Sequence, residues 1–219
     1  MKVGLFGGAF NPIHRCHLVV AESARERLGL ETVLFIPTGD PPHKPSTEFI
    51  AAAHRLEMIK LAIAPYPYFQ ASDIEIRRPN KSYTIDTVRE LRRHYPLDTE
   101  LVFIIGLDAF RELPSWKEPE DLLRSCDFAV VGRAGSSFES LSDLAILQGD
   151  HITELKRIDA GKVDSARLPL KSGRAVWAIR IPPCNVSAKD IRNRLRHGQD
   201  LENALSPSVE VYVRRIAIS

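Results

Sequence analysis

The chain has 219 residues, 44% of them hydrophobic and 26% charged, with a formal charge of +2. That length suits one ordinary domain, and the balance excludes disordered, collagen-like and repeat architectures. So small a net charge argues against a long polyanion such as a nucleic acid as partner, while leaving room for a local cationic cleft that takes small phosphates.

In chain order, Met1 leads directly into Lys-Val-Gly-Leu-Phe and a polar loop, too short an apolar stretch for a signal peptide. Val3 to Phe6 predicts a buried strand, and a helix follows from near His14 to Leu28, with Leu18, Ala21, Ala24 and Leu28 on one face and Gly29 as terminator. Further strands are predicted at Val33 to Ile36, Leu101 to Ile105 and Phe128 to Val131, and helices over Ala51 to Ala64, Thr84 to Tyr95 and Ser187 to Arg196. Ser206-Pro207 predicts the start of a last helix. Between about 133 and 175 the pattern weakens into an irregular excursion within a single domain spanning 1–219, and a small helical part closes the chain from about 187 to 219.

Strands alternating with helices predict an α/β fold, a Rossmann-like doubly wound parallel sheet with helices on both faces. Its ligand crevice is expected outside the carboxyl ends of the strands. No apolar run reaches the roughly 18 residues of a membrane span, so no membrane partner is expected. Cys16, Cys126 and Cys184 form no CxxC pair, which suggests neither a disulfide framework nor a zinc site and fits a reducing cytoplasm.

The polar segment Gly7-Gly8-Ala9-Phe10-Asn11-Pro12-Ile13-His14-Arg15-Cys16-His17 sits where the first strand enters the first helix. Paired glycines allow close backbone approach, a helix N-terminus attracts phosphate, and two histidines three residues apart share one face. A tight turn with capping histidines is the plainer alternative. No GxxxxGK[ST] and no GxGxxG after a strand is present, so phosphate would be held by another device.

This segment resembles the GGxFxPxHxGH signature of the nucleotidyltransferase superfamily, with Cys16 in place of the usual glycine. A second stretch, Val186 to Arg192, resembles that superfamily's ISSTxIR element, matching at Ser187, Ile191 and Arg192 but carrying Ala188 and Lys189 in place of two hydroxyls. Ser187 with Asp190 would also make an ordinary helix cap. PTGDPPHK (Pro37 to Lys44), SYTIDT (Ser82 to Thr87), Arg55-x-x-Met58 and Gly106-Leu107-Asp108 followed by Trp116 look like bacterial nicotinate-nucleotide adenylyltransferases over nearly the whole chain.

The resemblance implies adenylyl transfer from ATP to nicotinate mononucleotide in NAD biosynthesis. His14 and His17 would be catalytic. Gly7, Gly8, Ala9, Phe10, His14, His17, Lys44, Gly106, Asp108, Ser187, Ile191 and Arg192 would bind ATP. Tyr83, Thr84, Trp116 and Arg133 would bind the acceptor. Mg²⁺ would arrive with the nucleotide rather than on protein ligands. Each residue also has a duller reading: Trp116 as a core or rim aromatic, Asp108 and Thr84 as caps, Lys44 as a loop cation. Rival functions are the same chemistry on nicotinamide mononucleotide or phosphopantetheine, and a non-catalytic ATP-binding module. An RNA-binding module on the related fold of tRNA-charging synthetases is disfavoured, because no KMSKS-like segment or basic aromatic-interleaved patch is present. A homo-oligomer is compatible with the sequence.

Overall fold

A computed structural model of the protein describes residues 1–41, 49–132 and 135–218, with side chains through residue 216. In chain order the elements are β1 (Lys2–Gly8), α1 (Arg15–Leu28), β2 (Thr32–Pro37), α2 (Ala52–Ile63), β3 (Phe69–Ala71), α3 (Thr84–His94), β4 (Glu100–Gly106), α4 (Leu107–Arg111), α5 (Pro119–Ser125), β5 (Asp127–Gly132), α6 (Ile152–Asp159), β6 (Ser165–Pro169), β7 (Ala175–Arg180), α7 (Ala188–Arg196) and α8 (Pro207–Ile218). The strands form one sheet in the order β3-β2-β1-β4-β5-β7-β6, and every neighbouring pair is parallel except β6 with β7.

Side chains alternate across a strand, and here both faces are apolar, as burial on both sides requires. On one face Leu5, Phe103, Phe128 and Val176 pack against Ile85, Val88 and Leu91 of α3, Phe110 of α4, Leu122 of α5 and Ile158 of α6. On the other, Phe6, Phe35, Ile104 and Ile179 pack against Ala21, Ala24 and Leu28 of α1, Met58 and Ile59 of α2, Ile191 of α7 and Val209 and Val213 of α8. The α1 residues recur at the three- and four-residue spacing expected of one buried helical face.

The doubly wound reading is borne out, and the predicted strands and helices lie within a residue or two of their places. The excursion is less irregular than the sequence suggests. It holds a 3₁₀ turn at Phe138–Leu141, α6 and β6, and the β6–β7 hairpin extends the central sheet. The run Ala175 to Arg180 is an interior strand, masked in the sequence by the flanking Arg and Gly residues. The short β3, α4 and α5 also escaped the periodicity, because elements of three to seven residues carry too few periods to register. Among the described residues no helix is long and apolar enough to cross a membrane.

Candidate active site

Strand order reverses between β1 and β4. From β1 the chain steps outward to β2 and β3, and from β4 it steps the other way to β5. Such a switch point opens a crevice at the carboxyl ends of the two central strands. The segment after β1 and the Gly106-Leu107-Asp108 turn after β4 both arrive there, since Phe6 pairs with Ile104 in register. The crevice therefore joins two motifs that are about one hundred residues apart in sequence.

His14 is the N-cap of α1, in extended conformation, and His17 lies in the first turn. The ring centroids are 3.8 Å apart. His17 Nδ1 accepts the His14 backbone N–H at 3.1 Å. A neutral ring that accepts at Nδ1 carries its proton on Nε2, so His17 is set as an Nε2–H donor. No acidic residue stands in the first turn of α1 to oppose an anion.

Two predicted contributors have buried side chains. Phe10 is 1% exposed, its backbone has φ of 44°, and its ring packs 5.4 Å from Phe6, 5.7 Å from Phe35 and 5.0 Å from His17. It is a core wedge that fixes the His17 ring, leaving only its main chain for a ligand. A Cβ on Gly8 would lie 3.2 Å from that ring, so the glycine is needed for the aromatic packing as much as for any approach to phosphate. Ile191 is likewise 1% exposed, its side chain in the core. An apolar residue on the inner face of a helix is buried whatever motif it belongs to.

Beneath the loop lies a group that sequence reasoning noticed only as part of a pattern. Arg55 of α2 is 2% exposed and donates to three main-chain carbonyls: Nε to Ile50 at 2.9 Å, Nη1 to Ala9 at 2.8 Å and Nη2 to Thr38 at 2.6 Å. Burial lowers its pKa, opposed by the nearby Glu75 carboxylate. The rigid fork thus clamps the loop after β1 to the loop after β2. A buried arginine following a loop is indistinguishable in sequence from a surface one.

The loop after β2 is stitched further. Thr38 N–H donates to Gly8 O at 2.9 Å, Gly39 N–H to Ser82 Oγ at 3.1 Å, and Ser82 N–H to Asp40 O at 2.9 Å. A Cβ on Gly39 would fall 2.2 Å from the Glu75 carbonyl oxygen, so only glycine fits this approach. Glu75 accepts the Thr87 hydroxyl at 2.8 Å, and burial pushes its carboxyl above the ordinary range, against the pull of its Thr87 and Ser82 hydrogen bonds and Arg78.

These links place Tyr83 and Thr84 at the start of α3, with Tyr83 as N-cap. Trp116 reaches the same region. It packs edge-on to Phe103 at 6.5 Å, and its neighbour Lys117 sits 4.9 Å above the Tyr83 ring and binds Asp86 at 2.9 Å. Gly106 is the N-cap of α4, and Asp108 is exposed in its first turn. Asp108 also lines a cavity of about 440 Å³ with Arg111, Glu112, Ser140, Asp143 and Leu144. With three carboxylates and one guanidinium around that space, the carboxylates suit hydroxyl donors.

The fourth side of the crevice is α7. Ser187 caps it, its Oγ accepting the Asp190 N–H at 3.0 Å, and Arg192 Nη1 donates to Asn11 O at 2.8 Å. The carboxyl-terminal motif is thereby brought against the first one. Contrary to the expectation of no disulfide, Cys16 and Cys184 form one, with Cα atoms 5.6 Å apart across a separation of 168 residues. Sequence spacing carries no information about distance once the fold has closed. Lys44 and Arg133, assigned to the site from sequence, lie outside the described residues.

The model of the cytidylyltransferase-like family matches residues 5–194. A protein of Pelobacter propionicus, named a probable nicotinate-nucleotide adenylyltransferase, is 42% identical over 98% of this chain and 96% of its own length. One of the same name from Citrifermentans bemidjiense is 39% identical over 98% and 96%. Among solved structures, nicotinic acid mononucleotide adenylyltransferase of Plasmodium falciparum, complexed with NaAD, matches with a TM-score of 0.72 at 16% identity, covering 99% of this chain and 96% of that one. At that identity the likeness speaks for the fold.

Proposed function

The chain belongs to the cytidylyltransferase-like family, and on that premise we propose that it transfers the adenylyl group of ATP to nicotinate mononucleotide, giving nicotinate adenine dinucleotide and pyrophosphate. The observation that carries this reading is the meeting of the paired His14 and His17 rings with Arg192 across Asn11 at the β1/β4 switch point.

The acceptor phosphate is already an anion and attacks the α-phosphorus of ATP directly, so no covalent enzyme intermediate is required. What the protein must supply is alignment of two polyanions and donors for charge that builds on the α-phosphoryl oxygens and the leaving pyrophosphate. His17 Nε2–H, the His14 ring, the α1 N-terminus and the Arg192 donors beyond Nη1 are suited to that task. Gly106 and Asp108 serve the adenosine part, with Asp108 accepting from hydroxyls. Tyr83, Thr84 and Trp116 surround the pyridine ring and its carboxylate, an aromatic face and helix-start donors being matched to those groups. Ser187, Lys44 and Arg133 complete the phosphate contacts in this reading. Magnesium enters as part of the substrate, held by phosphate oxygens and water, because the histidine and arginine donors on the phosphate side fit oxyanions and not a hard cation.

Pyrophosphate release, coupled to a colour reaction, tests the proposal with ATP and three acceptors in turn. Nicotinate mononucleotide should react fastest, ahead of nicotinamide mononucleotide and phosphopantetheine. Pyrophosphate from none of them would reduce the protein to a nucleotide-binding module.

A further inference from the structure

We infer that the Cys16–Cys184 disulfide is a thiol–disulfide exchange site, opened by a dithiol, through which redox state sets the affinity of the crevice for ATP. The inference rests on the reading of α1 and α7 as the two walls of the triphosphate site. Cys16 stands between His14 and His17 at the start of α1, and Cys184 lies three residues before Ser187, the cap of α7. The covalent bond therefore ties the two walls at the level where each presents its helix N-terminus.

The other anchors of α7 are few and non-covalent. Ile191 is its one buried residue, with Leu195 and the preceding Val186 packed partly buried against the same core and the other side chains partly or fully exposed. Besides the disulfide, the contacts that link this part of the chain to the histidine loop include Arg192 to Asn11 O at 2.8 Å, the Arg15 N–H to Ala204 O at 2.9 Å and a core cluster shared by Ile13 and Ile191. With the bond closed, Ser187 and Arg192 are pre-positioned. With it open, α7 samples detached arrangements, and ATP must bind the assembled fraction.

The bond is placed for exchange. Both cysteines are half-buried, and the neighbours of Cys184 (Pro182, Pro183 and Asn185) are exposed. A half-exposed disulfide is the kind that reagents reach, whereas Cys126 is fully buried under α5. The reaction balances with a dithiol as the two-electron donor. One thiolate of the reagent attacks a sulfur of the pair, breaking the S–S bond and forming a mixed disulfide. The reagent's second thiolate then attacks the reagent's own first sulfur and expels the cysteine thiolate, leaving the reagent as a cyclic disulfide and Cys16 and Cys184 as thiols that have gained two protons and two electrons.

The test uses the full chain, oxidised or reduced with dithiothreitol, with redox state verified by intact mass. ATP affinity is measured by calorimetry, separately from pyrophosphate release. Reduction should weaken ATP binding about tenfold, re-oxidation by a cyclic disulfide should restore it, and Cys184→Ser should bind weakly and ignore dithiothreitol. Equal ATP affinities in the two states, or a protein purified without a reductant that carries three free thiols, would overturn the inference. ATP binding that responds to redox without any pyrophosphate release would support it and sink the catalytic reading instead. No ATP binding in either state would remove the site and the inference together.

Discussion

Replacing Arg55 with methionine removes the clamp between the two loops of the crevice while roughly conserving volume. Three carbonyls, Ile50, Ala9 and Thr38, lose donors at 2.9, 2.8 and 2.6 Å in a place where Arg55 itself is 2% exposed, so water replaces them poorly. Hydrogen bonds to a charged donor are worth about 1.5 to 3 kcal/mol each, for a gross loss of about 4 to 9 kcal/mol. Against this stands the relief of burying a guanidinium, several kcal/mol. The net expected loss is about 3 kcal/mol in unfolding free energy, read from urea denaturation at constant m-value. At temperatures where the variant stays folded, slack in the Ala9 and Thr38 loops should lower kcat/KM on the order of tenfold to a hundredfold, since a displacement near 1 Å carries that scale of cost. Arg55→Lys, which reaches at most part of the fork, should fall between. A methionine variant within about 1 kcal/mol of the parent and with unchanged kcat/KM would refute the clamp.

His17→Ala should lower turnover on the order of a hundredfold, the scale for losing one charge-stabilising donor. His17→Asn keeps an acceptor for the His14 N–H, so it should restore stability but not turnover, and near-normal turnover in either variant would sink the donor role. Burial raises the Glu75 pKa, so the folded state holds that proton more tightly than the unfolded one. Its contribution is present below the unfolded pKa and is lost as pH rises through the folded pKa. Glu75→Gln should therefore flatten the decline of the urea midpoint with rising pH above the ordinary carboxylate range, and an unchanged slope would count against the assignment. The Cys126 thiol is pushed up to about 12 by burial. After reduction, iodoacetamide should add to two cysteines of the native protein and to the third only in denaturant, and three rapid native adducts would contradict its burial. Gly39→Ala forces a Cβ against the Glu75 carbonyl oxygen at 2.2 Å, and should destabilise the chain by more than about 2 kcal/mol in the same urea assay.

The sequence by itself determined the alternation of strand and helix, and with it the doubly wound sheet. It also located the two motifs that resemble the superfamily's signatures, because glycine pairs, helix caps and paired histidines are local chemistry with local periodicity. His14, His17, Tyr83 and Ser187 sit at the helix starts that their neighbours predict. Tertiary structure decided which of the motif residues face the crevice and which face the core. The Phe10 and Ile191 side chains turned inward because burying an aromatic ring or a branched aliphatic side chain is favourable. It also decided every partnership made across the fold: the Arg55 fork, the Gly39–Glu75 approach, Arg192 on Asn11, and the Cys16–Cys184 bond. Those pairings depend on how β1, β2 and the segment after β7 converge at one edge of the sheet, and distance along the chain does not encode that convergence.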